Sequence, residues 1–189
     1  ISLATDSAAV GTGTLSLLAS SSVTSANTST SAITLRGADM AIDGTAGVTA
    51  TGVGGGVQIF SSVNTRPIAL GDTNGTAVAG INLNDAELAR ISNYGTLTVG
   101  EAGAQIGAIT VTTVSNPVAA GSLVLNANGV GGGIVINDTG SEATPVVATA
   151  LAAGSGTVAL TAGSGGITAA TANNTTAEIA TTGATVTLN

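Results

Sequence analysis

Along the chain, apolar residues recur in pairs separated by a single position. Leu15/Leu17, Ile33/Leu35, Val57/Ile59, Ile68/Leu70, Ile81/Leu83 and Leu97/Val99 are followed by Ile109/Val111, Leu123/Leu125, Ile134/Ile136, Val158/Leu160 and Val186/Leu188. A period of two places alternate side chains on one face of an extended chain, so each pair predicts a short strand with one buried face. Gly, Asn, Asp, Ser or Thr punctuates nearly every gap, as tight turns require. From Val57 onward many neighbouring pairs start about 11 to 14 residues apart, a spacing that suits sandwiches, barrels and solenoids.

Three features favour the solenoid. GTLTVGEAG, GSLVLNANG and GTVALTAGSG, starting at Gly95, Gly121 and Gly156, are versions of one unit. Aromatic residues make up 1% of the chain, whereas sandwiches usually carry several in their cores. The turns are short and glycine-rich, as close-set corners need. The expectation is therefore an all-β chain, a parallel β-helix (β-solenoid) forming a single domain over residues 1–189. With two or three strands in a coil of about 20 to 25 residues, it would have roughly eight or nine coils. At about 4.8 Å per coil these make a rod about 40 Å long.

One segment breaks the alternation. Asn84-Asp85-Ala86-Glu87-Leu88-Ala89-Arg90-Ile91 offers Asn84 or Asp85 as a helix cap, Glu87 in the first turn and Arg90 near the end. Leu88 and Ile91 are spaced to share one helical face. This predicts one short helical insertion near residues 84–93, ending between Asn93 and Gly95 and docked by Leu88 and Ile91. Glu87 is expected to be an exposed first-turn charge.

Composition sharpens the picture. The 189 residues include 28 Gly, one Phe (Phe60), one Tyr (Tyr94) and one Met (Met40), with no Cys, His or Trp. Ser and Thr supply about a quarter of the chain, a strong bias against ordinary usage. Charged residues amount to 7%. Mean hydropathy is nevertheless +0.53, too apolar for a disordered segment. A core made from Val, Ile, Leu and Ala fills a narrow interior.

The formal net charge is -7, and the only cations are Arg36, Arg66 and Arg90. No basic footprint exists for nucleic acid or for an anionic membrane surface. No apolar run approaches the ~20 residues of a membrane-spanning helix, so no membrane insertion is expected. The chain starts at Ile1 without a basic leader, which reads as a processed or excerpted piece. Without Cys, neither disulfides nor thiolate chemistry is available. A Cys-free chain also suits export in an unfolded state through an outer-membrane pore.

Candidate chemistry is sparse. GVGGGVQIF (Gly52–Phe60) and GVGGGIVIN (Gly129–Asn137) look at first like phosphate loops. Such loops need a Lys, or a helix after the glycines. Calcium-binding nonapeptides need an Asp on each turn. Both stretches lack these, so they read as corners. The ten carboxylates are Asp6, Asp39, Asp43, Asp72, Asp85, Glu87, Glu101, Asp138, Glu142 and Glu178. Glycoside hydrolysis needs two of them about 5 to 9.5 Å apart. The close pairs are Asp39/Asp43, Asp138/Glu142 and Asp85/Glu87. Asp in turn-like stretches commonly bonds its own backbone. With no His as a base and no aromatic sugar platform, no enzyme is expected, and no catalytic, cofactor or metal residue is assigned. Thr-x-Thr at Thr96/Thr98, Thr110/Thr112 and Thr185/Thr187 is too sparse for an ice-binding ladder and fits strand propensity. Asn-x-Ser/Thr at Asn27, Asn74, Asn137, Asn173 and Asn174 is expected by chance in so Ser/Thr-rich a chain.

LNDAELARISNYGTLTVG, Leu83 to Gly100, resembles a segment of the filamentous-haemagglutinin-like large exoproteins exported by two-partner secretion. RPIALG at Arg66 to Gly71 fits the same neighbourhood, and GTVALTAGSGGITAA at Gly156 to Ala170 is similar to their generic repeat. The resemblance is sharpest over residues 66–112. It implies a right-handed parallel β-helix on a bacterial cell surface, used for adhesion to a host or neighbouring cell or as a fibrous stalk.

Read from tail to head, Val186-Thr187-Leu188-Asn189 continues into Ile1-Ser2-Leu3-Ala4 without a slip in alternation. Neither end carries the polar cap that solenoids normally need. The functional expectation is a structural protein of an extracellular filament or surface fibre. Its partner would be itself, end to end, with Ile1 and Leu3 against Val186 and Leu188 of the next subunit. The alternative is an excerpt of a monomeric adhesin stalk. A third reading is a carbohydrate-active β-helix enzyme.

Overall fold

The alternating pairs form strands wherever they can be followed. The structure is a computed structural model that describes residues 1–6, 11–71, 79–93, 95–112, 114–115, 121–137, 151–152, 156–170, 179–180 and 185–189. In chain order the elements are β1 (Ser2–Ala4), β2 (Thr14–Leu17), β3 (Ser22–Ser25), β4 (Ile33–Gly37), β5 (Asp39–Ile42) and β6 (Gly47–Ala50). Then come β7 (Val57–Ser61), β8 (Ile68–Gly71), β9 (Ile81–Leu83), the helix α1 (Asp85–Leu88) and β10 (Ile91–Asn93). They are followed by β11 (Thr96–Val99), β12 (Ile109–Thr112), β13 (Val114–Ser115), β14 (Ser122–Ala127), β15 (Gly133–Asn137) and β16 (Leu151–Ala152). The last are β17 (Val158–Ala162), β18 (Gly166–Ala170), β19 (Ile179–Ala180) and β20 (Val186–Leu188).

The chain is all-β, with parallel strands. A seven-stranded sheet runs in the order β1-β4-β7-β11-β14-β17-β20, and every neighbouring pair in it is parallel. This is the first row. A second row contains the pair β2-β5 and the five-stranded sheet β9-β8-β12-β15-β18, with β9 packed beside β5. Two further three-stranded sheets, β3-β6-β10 and β13-β16-β19, complete the set. The seven-stranded sheet is open, with β1 and β20 at its outer edges, and no closed barrel forms among the described residues.

Register stacks like on like. Leu3, Leu35, Ile59, Val99, Leu125, Leu160 and Leu188 form one column across the first row. Ile33, Val57, Leu97, Leu123, Val158 and Val186 form the column beside it. The five residues from Leu35 to Leu160 in the first column are fully buried, while Leu188 is 57% exposed. Each sealed aliphatic side chain contributes about 1.5 to 3 kcal/mol relative to exposure. The three units at Gly95, Gly121 and Gly156 supply β11, β14 and β17, which are adjacent strands of this sheet. Their likeness is the likeness of stacked neighbours.

Two expectations need correction. The chain returns to the first row at intervals of 24 to 40 residues, five of the six longer than 25, and among the described residues it lays down seven strands there, fewer than eight or nine. Three strands in each circuit, four and a helix in the one from β7 to β11, and the loops between them account for the extra length. The helix is also shorter than expected. It spans Asp85–Leu88, with Ala89 as its C-cap. Ile91 does not share a helical face with Leu88; it opens β10 and pairs with Val48 of β6. Val48 N–H also donates to Arg90 O, at 3.0 Å, so the ladder captures the chain immediately after one turn of helix. Leu88 and Ile91 are both buried, one through a helix and the other through a strand.

Candidate functional site

The two triple-glycine stretches are corners. Gly55 N–H donates to Gly52 O at 2.7 Å, and Gly132 N–H donates to Gly129 O at 2.9 Å. Gly54 and Gly131 have φ of +81° and +90°, the left-handed conformation that a type II turn needs at its third position. The first glycine of each corner serves a different need. A Cβ on Gly52 would lie 2.6 Å from Ala26 O, and one on Gly129 would lie 2.7 Å from Gln105 O. The missing side chain lets one backbone bond directly to the next: Gly129 N–H donates to Gln105 O at 2.8 Å. The copies are not equivalent. The first leads into β7 of the seven-stranded sheet and the second into β15 of the five-stranded sheet.

Gln105, which carried no signal in the sequence, receives the second corner on its backbone carbonyl and is itself anchored by its side chain. It is 1% exposed, and its Nε2 donates to Arg66 O at 2.8 Å and to Gly107 O at 2.9 Å. Burial of so polar a side chain is tolerated because its donors are matched.

The carboxylates are scattered. Asp39 Oδ1 accepts from Met40 N–H at 2.8 Å, local bonding as expected, though from the first residue of a strand. Asp6 Oδ2 accepts from Gly11 N–H at 2.6 Å and from the Ser62 hydroxyl at 2.9 Å. Glu101 pairs with Arg36 at 2.9 Å. The same guanidinium sits 5.1 Å from the centre of the Phe60 ring and donates to Ser61 O at 3.1 Å. This cluster ties β4 to β7 across the outer surface of the first row. With both partners about a third exposed, the ion pair is worth at most ~1 kcal/mol. Asp72, Asp138, Glu142 and Glu178 lie outside the described residues, and with them the Asp138/Glu142 pair. Among the described residues no group of three or more His, Cys, Asp or Glu could hold a metal.

Asp43 and Glu87 are brought to one place. They line a shallow depression of about 530 Å³ between α1 and the end of β5, together with Ser16, Leu18, Asn84 and Arg90. The side chains of Asn84, Glu87 and Arg90 in it are engaged with backbone. Asn84 caps α1: Glu87 N–H donates to Asn84 Oδ1 at 2.9 Å, and Asn84 N–H donates back to Glu87 Oε2 at 3.0 Å. This is a capping box. Glu87 is half-buried, not the exposed charge expected, because its Oε1 also accepts from Ile42 N–H at 3.0 Å. Arg90 donates through a guanidinium N–H to Ile42 O. Glu87 of α1 and Arg90 just beyond it thus take the place of a neighbouring strand for Ile42, where β9 has already given way to α1. The arrangement seals a strand end.

Other sequence candidates are dispersed. Thr96/Thr98 lie on β11, Thr110/Thr112 on β12 and Thr187 on β20. Asn27 Oδ1 accepts from Ser29 N–H at 2.8 Å in an exposed turn, and Asn137 ends β15. Asn74, Asn173 and Asn174 lie outside the described residues.

The strand edges at the two ends of the stack complete the inventory. Thr34 N–H donates to Ile1 O at 2.8 Å, which sets Ile1 beside Ile33. Ile1 is 54% exposed, Val186 38% and Leu188 57%, while the residues between them in the same columns are sealed. Among the described residues each end therefore offers an unpaired backbone edge flanked by apolar side chains. No helix among the described residues is long and apolar enough to cross a membrane. Comparison with protein families, with curated proteins and with solved structures finds no match.

Proposed function

We propose that the chain is a parallel β-solenoid and a structural element of an extracellular filament or surface fibre, stacking head to tail with copies of itself. One observation carries the reading. Ile1 and Leu3 stand at one edge of the seven-stranded sheet and Val186 and Leu188 at the other, in the same two columns. A second copy placed on β20 continues both columns without a change of register. The contact is heterologous, so it does not close on itself and grows a fibre. Burial at the joint supplies about 25 cal/mol per Å² of apolar area, and with no Lys, Arg, Asp or Glu in β1 or β20 salt has little influence. The resemblance of Leu83–Gly100 to secreted exoproteins supports a cell-surface location. The enzyme reading draws no support from Glu87 and Arg90, which line the depression beside α1 and are bound to the backbone.

The test is a pair of substitutions at the joint. Leu3→Lys together with Leu188→Lys buries two charges against each other in the stack, at a cost that abolishes assembly. The expected result is sedimentation as a monomer with an unchanged far-ultraviolet strand spectrum. Fibres formed by this double variant contradict the reading, as does an unmodified chain that stays monomeric at high concentration. The last outcome favours the second reading, a stalk segment in which further passes of a longer adhesin cover β1 and β20. The same resemblance to exoproteins supports it.

A further inference from the structure

We infer that a second copy joins both rows at once, with its β1 against β20 and its β2 against β18, and that the inserted strand β9 makes this possible. The inference rests on the stacking reading and specifies its interface. In the first row the chain lays down seven strands, β1 to β20. Between β1 and β20 it makes six circuits, and among the described residues each first enters the second row at one strand: β2, β5, β8, β12, β15 or β18. Six strands against seven would leave the second row one strand short, and a copy seated on β20 would hang over a gap of about 4.8 Å. β9 removes the deficit. After β8 the chain steps back and sets β9 between β5 and β8, in register with β8 through Ile68↔Ile81 and Leu70↔Leu83. Among the described residues the second row then also counts seven strands, β2, β5, β9, β8, β12, β15 and β18, whereas the two three-stranded sheets together count six, so the joint is specified for the first two rows alone.

The columns of the second row agree with this count. Leu15 aligns with Met40 and Leu17 with Ile42 at one end. Ile134 aligns with Ile167 and Ile136 with Ala169 at the other. Leu15 and Leu17 are therefore set to meet Ile167 and Ala169 of the adjoining copy, and the outward residues Ser16 and Thr168 become lateral neighbours. In the first row the corresponding outward neighbours are Ser2 and Thr187, which lie beside Thr34 and Ala159 within the copy. The step back to β9 is also the place where α1 is needed. β5 and β9 belong to different sheets, and the amides of Met40 and Ile42 are taken by Asp39 and Glu87. The insertion that equalises the rows thus leaves a seam, which α1 covers.

The chain has no Cys, so introduced thiols report the joint without background. Parallel neighbours about 4.8 Å apart lie within disulfide range. Three double variants are oxidised and run on a non-reducing gel: Ser2→Cys with Thr187→Cys, Ser16→Cys with Thr168→Cys, and the mismatched Ser16→Cys with Thr187→Cys. All four positions are exposed, so the fold should tolerate each change. A ladder of covalent oligomers from the first two pairs and none from the third is expected. A ladder from the first pair alone overturns the two-row joint while leaving single-row stacking intact. No ladder from either matched pair overturns the two-row joint, and if the same protein is also monomeric by sedimentation, the stacking reading falls with it.

Discussion

The carboxylate of Glu87 holds the amide of Ile42, 45 residues away in sequence, at 3.0 Å. Its other oxygen accepts from the amide of Asn84 at 3.0 Å. One side chain therefore closes a helix start and a strand edge together. Arg90, one turn on, takes the carbonyl of the same Ile42. The helix works as a strap over the seam between β5 and β9.

That strap gives a first prediction. Glu87→Gln keeps one acceptor but turns an amide NH2 toward a backbone donor, so it should cost about 1 to 3 kcal/mol, as loss of a charge-assisted bond does. Asn84→Ala should cost about 1 kcal/mol through loss of the cap. Hydrogen exchange at the Ile42 amide should quicken in Glu87→Gln and change far less in Asn84→Ala. Unchanged exchange at Ile42 in the Gln variant would show that the strap is not holding that edge.

Leu88 and Ile91 should both be costly to truncate, for different reasons. Each is buried, and removal of a buried aliphatic to Ala costs about 2 to 5 kcal/mol. Ile91→Ala should loosen the β6 amides that face β10, whereas Leu88→Ala should loosen α1. Residue-resolved exchange separates the two. A neutral result for Leu88→Ala would place α1 in solvent.

Glycine substitutions should split by position. Gly47 has open space for a Cβ, so Gly47→Ala should be neutral or stabilising by up to ~1 kcal/mol. Gly52→Ala drives a Cβ to within 2.6 Å of Ala26 O and should lower thermal stability sharply, because the clash is with backbone. Equal melting temperatures for the two variants would contradict the stacked-corner geometry.

Chelation should do nothing. With no grouped ligands among the described residues, the melting temperature is expected to be the same with and without EDTA. A fall on chelation that calcium restores would place a metal in the fold.

Much of the architecture was legible in the sequence, because a period of two leaves few alternatives. Ten of the eleven apolar pairs are buried as expected, and the eleventh, Val186/Leu188, is exposed on an edge strand. The corners were legible too, since glycine suits both the φ of +81° at Gly54 and the close backbone at Gly52. The extent of the helix was not. Leu88 and Ile91 have helical spacing, and only Val48, far back in the chain, decides that Ile91 pairs as a strand. The roles of Glu87 and Gln105 were hidden for the same reason: Ile42 and Arg66, which they bond, are close only once the chain has circled. The step back to β9 leaves no mark either, as Ile81/Leu83 looks like any other pair.

Fibre diffraction from oriented material tests the central claim most directly. Head-to-tail stacking of strands across the fibre predicts a meridional reflection near 4.8 Å. It also predicts an axial repeat of about 34 Å, seven strand spacings per copy. Fibres that lack the 4.8 Å meridional, or a repeat that is not one copy of seven strands, would contradict it.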